Sequence, residues 1–101
     1  MNMCYFKEQI HDELCGAKDY AQHAIEFKAM SKEWASLFLD MSSEELSHAN
    51  HLYSMAKEYY NKISEAYEHV PATLSEIMEC LSQDYVDLAT KVRFMHELYN
   101  G

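Results

Sequence analysis

The run Met41-Ser42-Ser43-Glu44-Glu45-Leu46-Ser47-His48-Ala49 decides how this chain is read. Glu45 and His48 are three residues apart, a spacing that puts both side chains on one face of a helix. That face is otherwise apolar. Trp34, Leu37, Phe38 and Met41 mark it before the pair, and Leu52, Met55 and Tyr59 mark it afterwards. One segment earlier a lone Glu13 interrupts a similar stripe, three residues past Ile10 and four before Ala17. A carboxylate on a core-facing stripe is costly unless it is paired, hydrogen-bonded or bound to a metal. Glu13, Glu45 and His48 are therefore the candidate ligands of a metal site.

Outward from this run, the apolar spacing predicts three helices, over about 3–30, 32–68 and 72–99. In the first, Phe6, Ile10, Leu14, Ala17, Ala21, Ala24 and then Phe27 or Lys28 trace a stripe of threes and fours. Gly16 is either a weak spot in that helix or a place where another helix approaches closely. Ser31 is the expected N-cap of the second helix, and Pro71 suits the first turn of the third. The third carries Leu74, Met78, Leu81, Tyr85, Leu88, Val92, Met95 and Tyr99 at heptad-like spacing. No linker, repeat or low-complexity stretch is visible, so 1–101 reads as one all-α domain. Its first two helices should form a long antiparallel hairpin.

The hairpin tests the ligand set. If the turn centres on Met30 and Ser31, Glu13 lies 17 residues before it, and Glu45 and His48 lie 14 and 17 after it. All three are then level, about 25 Å from the turn at 1.5 Å per residue. On the third helix Glu76 and Glu79 have ligand-like spacing but fall several turns away. Only His96 and Glu97 are level with the site.

Composition narrows the function classes. Two Gly and one Pro in 101 residues favour long helices, and 13 aromatics with seven Met give ample apolar surface to bury. The net charge of −9, with Arg93 the single arginine, makes nucleic acid and anionic membranes poor partners. Metal cations and basic protein patches are better ones. Cys4, Cys15 and Cys80 form no CxxC pair, and read as free buried thiols in a reducing compartment. The N-terminal residues lack a signal-peptide core, and no run of eighteen apolar residues occurs, so the expectation is a soluble, cytoplasmic protein. The methionines read as core fillers. His51 is expected behind the ligands or on the surface, Tyr20 as a carboxylate partner or a packing ring. His11, His23 and His69 show no convincing partners.

From Glu13 to Leu52 the chain resembles the first half of rubrerythrin and other ferritin-like di-iron proteins. The resemblance rests on Glu13 with Tyr20 seven residues on, Leu37-Phe38, and Glu45-Leu46-Ser47-His48-Ala49. It implies that Glu13 is a terminal or semi-bridging iron ligand, that Glu45 bridges the metals, and that His48 is a terminal ligand. A full family member supplies a second Glu and a second Glu-x-x-His from later helices. No Glu-x-x-His follows His48 here. Encapsulated ferritin-like proteins are similar in solving this by pairing hairpins across a two-fold axis. Their cargo tail has no counterpart at Tyr99-Asn100-Gly101, so storage inside a shell is not expected.

The resulting expectation is a ferritin-like four-helix core completed by dimerisation, with two iron ions per homodimer, or a higher homo-oligomer built from such dimers. Manganese and zinc are the alternatives to iron. The activity implied is ferrous iron oxidation, as a ferroxidase, or peroxide and oxygen chemistry. The alternative is a metal-free helical interaction or regulatory protein that keeps the hairpin and uses Glu13, Glu45 and His48 as a polar layer fixing register.

Overall fold

A computed structural model describes residues 2–101 as three helices: α1 (Met3–Phe27), α2 (Lys32–Glu65) and α3 (Ala72–Asn100). No strand occurs among the described residues. The Asn2 side chain accepts from the Tyr5 N–H and caps α1, while Ser31 does the same for α2 through the Trp34 N–H. α1 ends three residues before the apolar spacing predicts. The Phe27 carbonyl accepts from both the Met30 and Ser31 N–H groups, which closes a tight turn over 28–30. α2 also stops short, at Glu65, where the Ala66 and Tyr67 N–H groups turn back to the Ile63 and Ser64 carbonyls. Pro71, at φ −56°, precedes α3, and its carbonyl receives the Leu74 and Ser75 N–H groups.

The α1 stripe packs as the spacing predicts. Met3, Phe6, Ile10, Leu14, Ala17, Ala21 and Ala24 are all buried. On α2 the buried face is different from the one read off the large residues. Ala35, Ser42, Ala49 and Ala56, seven residues apart, face inward with no exposed surface. Trp34, Leu37 and Met55 are exposed by half or more, and Met41 by about a third. The helix is thus turned by one residue, about 100°, from the expected register. Small residues facing α1 allow the backbones to approach closely; Trp34, Leu37, Met41 and Met55 are left on the outside, while Leu52 and Tyr59 stay half-buried against the core.

α3 runs parallel to α1 and antiparallel to α2. It packs chiefly on α1 and touches α2 much less. Leu81, Ala89 and Val92 are its buried positions. Ser42 ties the three helices together. Its hydroxyl donates to the Ala17 carbonyl at 2.6 Å, so its oxygen is left to accept from His96 Nε2–H at 2.7 Å. Burial holds the His96 imidazole below its ordinary pKa, in its neutral form. Further along, Tyr53 and Tyr85 stack at 4.0 Å, and the Tyr85 hydroxyl donates to Asn50. The molecule is a rod of 58 × 19 × 16 Å. No described helix is long and apolar enough to cross a membrane.

Candidate metal centre

Glu13 of α1 and Glu45 and His48 of α2 converge midway along the hairpin. One ligand atom from each lies within 4.8 Å of the others. The level match follows from helix geometry: two antiparallel helices joined by a short turn bring residues equally distant from it side by side. Register on each helix then turns the side chains toward one another. Glu45 is half-buried, next to Leu46, which packs on the core, whereas the His48 side chain is 57% exposed.

The electrostatics of the cluster are unfinished. Glu13 Oε2 is fully shielded from solvent and has no hydrogen-bond partner. The nearest cationic candidate, His48 Nδ1, stands 3.5 Å away, an ion-pair separation rather than a good hydrogen bond. The Glu45 carboxyl is pushed up to about 6. Its main cause is the Glu13 carboxyl as partner for a shared proton, followed by burial and by the Glu13 charge, with His48 opposing. Two carboxylates this close cannot both ionise cheaply without a cation. An orphaned buried oxygen, a second carboxyl whose charge is disfavoured beside it and an adjacent imidazole make a donor set that suits a first-row divalent metal.

Gly16 belongs to the site in a way that its sequence position only half revealed. A Cβ built there would lie 3.3 Å from Glu45 Oε2. The close approach is therefore that of the Glu45 carboxyl and not of a backbone. A glycine one turn from Glu13 on a ligand-bearing helix was the available signal.

The other candidates lie elsewhere. His96 is committed to Ser42, and neither it nor Glu97 joins the Glu13 cluster. His51 is exposed. Tyr20 stacks on Phe38 at 6.4 Å and acts as a packing ring. His23 lies against the same Phe38, 3.7 Å from Glu26. The cysteines depart from the expectation of burial, since Cys4 and Cys80 are exposed and Cys15 is half-buried. His11, which showed no partner along the sequence, has two in space: Asp84 of α3 at 2.9 Å and Cys15 at 3.4 Å. The Asp84 contact joins residues 73 apart, which no helix periodicity can reveal.

Comparison with known proteins adds no relative: no family model matches the chain, and no curated protein or solved structure resembles it significantly.

Proposed function

We propose that this chain is a ferritin-like metal-binding protein whose Glu13, Glu45 and His48 form half of a carboxylate-bridged di-iron site. The single observation that carries the reading is Glu13 Oε2, buried and without a hydrogen bond beside a second carboxyl and an imidazole. Two copies pairing their hairpins would bring four carboxylates and two imidazoles together, the usual protein set for two irons. The reading is supported by the side of α2 left uncovered. His48 sits on a stripe with exposed Trp34, Leu37, Met41 and Met55, which is the surface a second hairpin would cover. An apolar stripe with ligands at its centre gives that pairing both a driving force and a register.

Iron bound there would supply redox exchange with dioxygen or peroxide, as in ferrous iron oxidation or peroxide reduction. The chain contributes hard carboxylate oxygens, with Glu13 and Glu45 neutralising the cation charge and His48 providing one nitrogen donor. The apolar side chains around them would keep bulk water from the ligands. Manganese suits the same donors, and zinc would bind without redox activity.

Elemental analysis tests the reading directly. Protein purified without chelator and reconstituted with ferrous iron should hold about one metal per chain. A content below about a tenth of that value overturns the proposal and leaves the cluster as a metal-free polar layer.

A further inference from the structure

We propose that His11 and Cys15 form a second, sulfur-containing cation site on the α3-facing side of α1, selective for thiophilic divalent ions such as zinc or cadmium. Asp84 is its positioning residue. The site is independent of the Glu13 cluster, which faces α2.

Three geometric facts carry it. His11 and Cys15 are four residues apart on α1, so both side chains project from one face of the helix. Asp84 reaches across from α3 to His11 Nδ1 at 2.9 Å. A carboxylate can only accept, so Nδ1 carries the proton and the lone pair is fixed on Nε2. Nε2 lies 3.4 Å from Cys15 Sγ, close enough to accept from its thiol. A carboxylate behind a histidine, holding the ring in the ligand tautomer, is the arrangement found around protein-bound zinc.

The separation suits a metal. With bonds of about 2.3 Å to sulfur and 2.0–2.1 Å to nitrogen, a tetrahedral ion sets its two donors about 3.5 Å apart. A cation bound to both donors would sit to the side of the Sγ–Nε2 line and replace the thiol proton, which leaves to solvent. His11 and Asp84 sit in the wall of an open cleft of about 550 Å³, which leaves the His11 side of the site open to solvent. Asp12 shares that cleft, and Asp19 stands one turn beyond Cys15 on the same face, so the surroundings are anionic. Water would complete the coordination. Thiolate with imidazole selects softer ions than the carboxylate cluster does, so the two sites would sort metals by chemistry.

The test uses the full chain with Cys4→Ser and Cys80→Ser, so that Cys15 is the only thiol, and with Glu45→Gln to silence the other site. Cadmium is titrated while the ultraviolet charge-transfer absorption of a cadmium–thiolate bond is followed, and circular dichroism checks helicity. The band should saturate at one cadmium per chain and be displaced by zinc. Cys15→Ser should abolish it, and His11→Ala should weaken binding at least about tenfold. Asp84→Asn should weaken it by about 10- to 100-fold at unchanged stoichiometry. A band that never forms, or one unaffected by either ligand substitution, overturns the site. Unchanged affinity in Asp84→Asn overturns the positioning role.

Discussion

At the scale of single residues, the chemistry of the chain is concentrated in a few side chains that are expensive where they stand. Glu45 shows this most plainly. In the folded chain its carboxyl titrates at about 6 instead of the ordinary 4.5, because Glu13 shares a proton with it. The stability linked to that proton is fully present below about pH 4.5 and is lost as pH rises through about 6. Above that range the metal-free pair repels itself. Glu45→Gln should therefore abolish metal binding yet leave the apo-protein as stable as the wild type or more so. Its advantage should widen from pH 4.5 to above 6 and then level off. Thermal melts of both proteins across that range check this, and a gap that does not vary with pH would show that the carboxylates are uncoupled. Metal affinity should move oppositely, falling below about pH 6 as protons compete for Glu45. Gly16 makes a companion case. Alanine is the better helix former by about 0.8–1.0 kcal/mol, and the atom its methyl meets is the mobile end of Glu45. Gly16→Ala is expected to stabilise the apo-protein by roughly 0.5–1 kcal/mol while weakening metal binding, because Glu45 must shift by a few tenths of an ångström. Calorimetry and a metal titration on the same sample would separate the two effects.

At the scale of the elements, both helices of the hairpin were legible in the sequence, but the inward face was legible on α1 and only in part on α2. On α1 the large apolar residues are also the ones that pack, so the stripe of threes and fours finds the buried face directly. On α2 two heptad stripes run side by side: Trp34, Met41, His48 and Met55, then one residue later Ala35, Ser42, Ala49 and Ala56. Hydrophobicity favours the first as the inward face. The structure buries the second, because only small residues let α1 and α2 approach closely along their length. The convergence of Glu13, Glu45 and His48 remained legible despite this shift, since level matching depends on distance from the turn and Glu45 lies at the boundary between the stripes. The His11–Asp84 contact was illegible for another reason: it depends on how α3 packs on α1. The small stripe can be tested. Ala49 is fully buried, and Ala49→Leu should force the helices apart at a cost of about 1–3 kcal/mol, measured by denaturant unfolding. Ala49→Ser should cost less. If Leu is accepted without loss, the close approach is not what holds the hairpin.

At the scale of the whole molecule, the chain is extended for its length. Its radius of gyration is 16.3 Å, whereas a compact domain of this size has about 13 Å. In a rod of three helices in which α3 covers mainly α1, a long face of α2 is left toward solvent. That face carries Trp34 and Leu37 at 55% and 56% exposed, beside a small apolar cleft that they form with Phe38 and Met41. Exposed aromatic and aliphatic side chains in one contiguous stripe are a liability for a monomer and an anchor for an interface. The candidate site lies on the same stripe, so covering the stripe and completing the ligand set would be one event. We therefore expect a symmetric homodimer, or a larger assembly of such dimers, with the two-fold axis passing near His48. Sedimentation should give at least twice the chain mass. Because metal would bridge the two copies, chelation should weaken the assembly, and the melting temperature should rise with both protein and metal concentration. Leu37→Glu places a charge at the apolar anchor without touching Glu13, Glu45 or His48. It should yield a monomer that has lost most of its metal affinity, because half of the ligands have gone. A monomeric wild type that still binds two metals would refute the pairing, and so would a Leu37→Glu monomer that binds metal as well as the wild type.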